Sequence, residues 1–160
     1  MLDKRMSVVR LFLCALILGA SVGGAAPSTR ASDRPEIEAG FHLLYELKFS
    51  EARAQFSAWQ SGHPDDPLGS TSEAASYLFE EFYAQGVLTS EFFLDDKLLL
   101  GGATGKGNEA RRAAFLAANQ RALDLARRQL KSDPQDTEAL VTLTLSTGMQ
   151  ADFAGLIEKR

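Results

Sequence analysis

The stretch PEIEAGFHLLYELKFSEARAQFSAWQSGHP, Pro35 to Pro64, decides the fold of this chain. Ile37, Phe41 and Leu44 stand at i, i+4 and i+7, with Leu43 and Leu47 beside them, which is the apolar spacing of one helix face. It predicts a helix from Glu36 to about Lys48. Ala52, Phe56 and Trp59 repeat the spacing on a second helix, with Ser50 as its N-cap, until Gly62 and Pro64 stop it. Two such helices joined by a tight turn make a helical hairpin.

The same periodicity runs on. A third helix is predicted from the capping-box pair Ser70 and Glu73 to Gly86, with Ala75, Leu78, Phe79 and Phe82 inward. The short amphipathic segment TSEFFLDDKLLL follows, and then the glycine-rich loop GGATGKGN. The fourth helix, with Asn108 as N-cap, is the longest. Leu116, Leu123 and Leu130 recur at seven-residue steps, and Ala113, Ala114, Ala117, Ala118, Ala122 and Ala126 supply small contacts. Arg127, Arg128 and Lys131 suit the negative end of its dipole, and Ser132-Asp133-Pro134 ends it. A fifth helix carries Ala139, Leu140 and Leu143 inward. Gly148 breaks it, and a sixth starts near Ala151 with Phe153, Leu156 and Ile157 apolar. With few β-branched runs to serve as strands, the fold class is all-α, about three antiparallel helix pairs. The last helix has no stop signal, so the domain is expected to continue past residue 160. The segment from about Gln135 is expected to be weakly held until more chain or a partner covers it.

The N-terminus has a different character. Lys4, Arg5 and Arg10 precede an apolar run from Leu11 to about Ala20, and SVGGAA follows: the layout of a secretory signal over residues 1–26, cut after Ala25 or Ala26. A linker over 27–34 then leads to a helical domain over 35–160, in which 86–109 is an insertion. The apolar run is short of the ~20 residues a spanning helix needs, so no membrane anchor is expected after cleavage, and the location is periplasmic or secreted. The single cysteine, Cys14, lies inside the signal and leaves the mature chain without disulfides or thiolate ligands. The net charge of −4 moves to about −6 without the signal, which excludes a basic field for nucleic acid.

Motifs for chemistry are wanting. A phosphate loop needs GxxxxGK followed by Ser or Thr. Gly105-Lys106 fits, but Leu100 stands five residues before Gly105 and Gly107 follows Lys106, so a flexible inter-helix loop is expected. His42 and His63 lack metal-ligand spacing. Glu80-Glu81 and Asp95-Asp96 are adjacent pairs whose side chains diverge by about 100° on a helix, and they read as solvated faces. No serine sits in a GxSxG turn. No catalytic residue, cofactor or metal is assigned, and an enzyme is not expected. The aromatic density from Tyr77 to Leu100 reads either as core against the fourth helix or as a lid or groove open to a partner, with Phe92 and Phe93 as its candidate contacts.

Written from Asp33, the first hairpin resembles a tetratricopeptide repeat of about 34 residues. Gly40, Ala52, Phe56 and Pro64 stand at that family's small, small, aromatic and proline positions, and ELKFSEA looks like its inter-helix turn. Gly40 and Ala52 are small because the two helices cross closely. On this reading Gly40→Leu overpacks the crossing, while Gly40→Ala is near neutral because helix propensity offsets the added methyl. Trp59 stands where the family has alanine. Restarted after Pro134, the frame places Ala154 at the second small position, whereas Thr142 and Glu158 depart from it. The resemblance implies groove-facing Arg34, Ile37, Phe41, Leu44 and Tyr45, and a protein or peptide as partner. The lysine and asparagine by which some relatives clamp a C-terminal carboxylate are replaced by Ile37 and Phe41, so the implied partner is an apolar peptide or a helix. The function this implies is an exported protein-interaction scaffold. A second reading is the N-terminal helical part of a larger exported enzyme whose catalytic segment lies beyond residue 160.

Overall fold

Aspartate or proline marks the start of four of the seven α-helices in the computed structural model, which describes residues 34–103 and 105–158. The signal over 1–26, and the linker apart from Arg34, lie outside the described residues. The elements are α1 Pro35–Tyr45, α2 Phe49–Gly62, α3 Pro67–Ala84, α4 Ser90–Leu94, α5 Asp96–Gly101, α6 Glu109–Ser132 and α7 Thr137–Asp152, the last continued by a π-helical turn Phe153–Ile157. The chain is all-α, and no strand occurs among the described residues. None of these helices is long and apolar enough to cross a membrane.

One turn is used twice. Between α2 and α3, the His63 N–H donates to Trp59 O at 3.0 Å and the Asp66 N–H to His63 O at 3.1 Å. The Asp66 carboxylate then caps α3 by accepting from the Leu68 N–H at 2.8 Å. Between α6 and α7 the same bonds recur 70 residues later: Asp133 N–H to Gln129 O at 2.8 Å, Asp136 N–H to Asp133 O at 3.1 Å, and Asp136 capping Glu138 and Ala139. Asp66 followed by Pro67 is a complete start signal, so α3 begins three residues before the expected capping box. The Ser70 hydroxyl is free to donate to Gln60 Oε1 at 2.8 Å and to accept from Arg121 Nε at 3.1 Å. Helix α2 likewise starts ahead of Ser50, with no side-chain cap.

Helix α1 stops at Tyr45, short of Lys48, because its C-terminus closes in a Schellman turn. Lys48 N–H donates to Leu43 O at 2.9 Å and Leu47 N–H to Leu44 O at 3.0 Å, which puts Leu47 in the left-handed region at φ 61°. Helix α3 closes the same way through Gly86, at φ 73°. The Leu47 turn is flanked by a 2.7 Å Glu46–Lys48 pair; the Lys48 ammonium holds the Glu46 carboxyl below its usual pKa, and Glu46 raises that of Lys48. Leucine in this conformation costs about 1–2 kcal/mol, more than the ~0.5–1 kcal/mol that glycine adds in chain entropy. Leu47→Gly is therefore expected to stabilise the domain by about 0.5–1 kcal/mol in urea unfolding. A lowered midpoint would mean that the leucine side chain contributes more than the strain removes.

The five longer helices pack in chain order, α1 on α2, α2 on α3, α3 on α6 and α6 on α7. On α1 and α2, Ile37, Leu44, Phe49, Ala52, Phe56 and Trp59 form one core. A Cβ on Gly40 would stand 2.2 Å from the Phe56 ring, so the small residue at this crossing has a steric cause. Ion pairs Glu73–Arg121 and Glu81–Arg111 set α3 against α6 in antiparallel register. The second core joins α3 and α6 to the inserted segment and the π-turn through Leu78, Phe82, Val87, Phe92, Phe115 and Phe153. Helix α3 thus lies between α2 and α6, and it also packs directly on α7. The offset of 70 residues that relates the turns also relates buried positions: Phe49 and Asn119, Ala52 and Ala122, Phe56 and Ala126, Gly69 and Ala139, Ser72 and Thr142, Ser76 and Ser146.

Three expectations about α3, α6 and α7 are corrected. Because α6 is packed by α3 on one side and α7 on another, its interior runs through Phe115, Ala118, Asn119, Ala122, Leu123, Leu125 and Ala126, while Ala113 and Ala117 are exposed. Phe79 is open rather than inward. Gly148 does not break α7, and no separate helix starts at Ala151: a helical glycine costs only about 1 kcal/mol, and burial of Phe153 outweighs that. Phe153 stacks on Phe115 at 4.7 Å, Glu158 pairs with Arg112 at 2.6 Å, and the Leu156 carbonyl accepts from the Ala103 N–H at 2.8 Å. The end of α7 therefore has a buried anchor.

Candidate interaction surfaces

The residues expected to face a groove have mostly another place. Arg34 donates to Glu138 at 2.6 Å, stands 3.9 Å from Asp66 and lies over the Trp59 ring at 5.8 Å, so it ties the start of α7 to the α2–α3 turn. Ile37 and Leu44 are buried in the first core, and half-buried Phe41 packs on Phe56 with ring centroids 5.3 Å apart. One apolar face cannot serve two partners, and α2 covers it. Tyr45 is 83% exposed. Of the two phenylalanines in the inserted segment, Phe92 is an anchor in the second core and Phe93 is 57% exposed. Tyr45 and Phe93 are thus the two of the seven whose side chains are open.

The adjacent acids of α3 do not form a solvated face. Glu81 is 2% exposed; its Oε2 accepts from Arg111 Nη1 at 2.5 Å, and its Oε1 accepts from Gln85 Nε2 at 2.8 Å and the Asn108 N–H at 3.3 Å. Glu80 accepts from Arg111 at 3.2 Å and from Arg53 at 2.7 Å, and Arg53 lies over the Tyr77 ring at 4.5 Å. The two carboxylates diverge as adjacent helical residues must, yet the fork of one guanidinium spans both. Arg111 answers Glu81 and Arg112 answers Glu158 at the cleft of about 330 Å³ beside the start of α6, whose remaining charge, Glu109, is exposed and has no ion pair among the described residues.

The glycine loop is packed onto this network. Gly102 has φ 66°, and a Cβ there would come within 2.9 Å of the Leu156 carbonyl. At Gly105 a Cβ would stand 2.2 Å from the Gln85 amide oxygen, and at Gly107 it would be 3.6 Å from Glu81. Glycine is needed at Gly102, by its positive φ and by the close approach of the π-turn backbone, whereas a Cβ at Gly105 would displace only the end of the Gln85 side chain and one at Gly107 would make ordinary contact. His63 stacks on Trp59 at 3.7 Å and its Nδ1 lies 3.1 Å from the Trp59 carbonyl, while His42 is exposed. Among the described residues no group of three His, Cys, Asp or Glu side chains could hold a metal ion.

The exposed large apolar side chains lie mainly on two faces. On α4 and α5 only Phe92 is buried, leaving Phe93, Leu94, Leu98, Leu99 and Leu100 exposed. On α7 the polarity is inverted: Ala139, Thr142 and Ser146 are inside, whereas Leu140, expected inward, is exposed with Val141 and Leu145. With Thr137 and Thr144 these three line a groove of about 240 Å³. The sequence missed this face because leucine at i and i+3 reads as inward; the signal that could have found it is the absence of any charged residue from Ala139 to Ala151. No protein-family model, curated protein or solved structure matches the chain.

Proposed function

We propose that this chain is an exported helical-repeat scaffold of tetratricopeptide type that binds a helix of a partner protein along the outer face of α7. The observation that carries the reading is the inverted polarity of α7. Counted from their first residues, α3 and α7 bury the same register, Gly69, Ser72 and Ser76 on one and Ala139, Thr142 and Ser146 on the other. Ser70, Thr71, Ala74 and Ala75 of α3 are also buried, since α3 has packed helices on both sides. Their counterparts on α7 are Leu140, Val141, Thr144 and Leu145, all exposed. The face that α3 turns to its neighbours is present on α7, in more apolar form and without a cover among the described residues. An uncharged helical face of this kind takes an amphipathic helix by its apolar side. The 70-residue recurrence of turn and buried positions supports a repeat architecture, in which α1 with α2 and α3 with α6 are successive hairpins and α7 opens the next.

A photo-crosslinking residue at Val141, in the protein expressed in its own compartment, is expected to give one discrete adduct. The same residue at Arg128, exposed on α6, should give none, and Leu140→Glu with Leu145→Glu should abolish the adduct while leaving the circular dichroism melt unchanged. Equal adducts from both positions, or none from Val141, would overturn the reading.

A further inference from the structure

We infer that the α4–α5 segment is the contact by which two copies of this chain pair about a two-fold axis. The segment is presented rather than loosely attached. Val87 and Ala103 are buried at its two ends and Phe92 in its middle. Thr89 caps α4 by accepting from the Phe92 N–H at 3.3 Å, and Asp95 caps α5 by accepting from the Lys97 N–H at 2.8 Å. Three buried anchors and two caps hold a surface that exposes six large apolar side chains beside four charged ones, with Leu94 at 83% and Leu100 at 87% exposure. Together with Leu88, Phe93, Leu98 and Leu99 they offer roughly 600 Å² of apolar area. That lies at the top of the usual range of about 300–600 Å² for the largest patch of a monomer, and is about three-quarters of the ~800 Å² each partner contributes to a standard interface.

Charge selects the second copy over a lipid surface. The ionised side chains of the segment are Glu91, Asp95, Asp96 and Lys97, a net negative set, whereas an interfacial helix needs basic residues around its apolar face. A two-fold contact must be complementary to itself. Asp96 and Lys97, adjacent at the start of α5 and both without an ion pair among the described residues, meet that demand: each copy brings one charge of either sign, and the axis sets Lys97 opposite the other copy's Asp96.

Sedimentation equilibrium of the purified protein is expected to show a monomer–dimer equilibrium in the micromolar range. Leu94→Asp with Leu100→Asp should raise the dissociation constant about a hundred-fold or more, by placing charge at the centre of the contact. The melting curve should be retained, because both side chains are open. Lys97→Asp and Asp96→Lys, each alone, should weaken pairing about ten-fold, while an equimolar mixture of the two variants should form a heterodimer tighter than either homodimer. A protein monomeric throughout, a dimer indifferent to Leu94 and Leu100, or a mixture no tighter than its components would overturn the inference. So would a monomer that floats with neutral phosphatidylcholine vesicles through this segment.

Discussion

Arg111→Ala is expected to lower the stability of the domain by about 3–5 kcal/mol, the cost of leaving one member of a buried ion pair uncompensated. Glu81 sits at 2% exposure with Arg111 as its only ion-pair partner among the described residues. Its remaining hydrogen bonds, from Gln85 and the Asn108 backbone, satisfy lone pairs without cancelling the charge. The loss does not stop at one carboxylate. Arg111 also reaches Glu80, and the Glu81 side chain holds the Asn108 N–H at the residue that caps α6, so the start of the longest helix loosens with it. Against a total stability of about 5–15 kcal/mol, the change should appear in thermal unfolding as a fall of roughly 10–20 °C. A double-mutant cycle separates charge from packing: Glu81→Gln on the Arg111→Ala background removes the stranded charge and should return a substantial part of the loss. If Arg111→Ala melts with the parent protein, Glu81 is not held as described. If the double variant is the weaker by the full sum of the two single losses, the pair is not coupled.

Gly40→Leu is expected to cost about 3 kcal/mol or more, at or beyond the top of the usual range for overpacking. The Phe56 ring that a Cβ would meet at 2.2 Å is fully buried and braced by Phe41, so it has nowhere to move without opening the α1–α2 core. The same geometry revises the expectation for alanine. A methyl at this distance is a clash that the ~1 kcal/mol of helix propensity in its favour does not offset, and Gly40→Ala should lose about 1–2 kcal/mol in urea unfolding. Phe56→Leu vacates the space, so Gly40→Ala should be better tolerated on that background than alone. A Gly40→Leu protein as stable as its parent would mean that the α1–α2 crossing is not where it is described.

The close crossing was legible before any coordinates because it depends on neighbours in one hairpin: Gly40, Ala52 and Phe56 announce it by size and spacing. Asn108, which caps α6 by accepting from the Arg111 N–H at 2.9 Å, was legible for the same reason, as were the stops at Gly62 and Pro134. These are short-range effects, in which backbone donors and ring constraints act within a few residues. Helix ends were misjudged where a stronger local signal stood nearby, as Asp66-Pro67 did beside Ser70. Leu47 was misjudged because a leucine in the left-handed region leaves no mark in composition. The partner-facing roles carried over from the repeat resemblance placed Ile37, Phe41 and Leu44 in a groove, whereas the periodicity of the same residues placed them inside. The interior position is the one the structure has.

The sequence by itself determined that the described chain is helical, where its main turns fall, and that α1 must pack closely on α2. Only the tertiary structure decided which side of α7 faces in. Read locally, Leu140 belongs inside and Thr142 outside. In the fold α7 packs on α3 as well as on α6, and a helix face held against two neighbours admits small volumes before it admits apolar ones. That constraint puts Ala139, Thr142 and Ser146 inside and turns Leu140, Val141 and Leu145 out. The buried charge has the same origin. Glu81 could leave water only because a residue thirty positions away, at the start of another helix, brings the guanidinium that answers it.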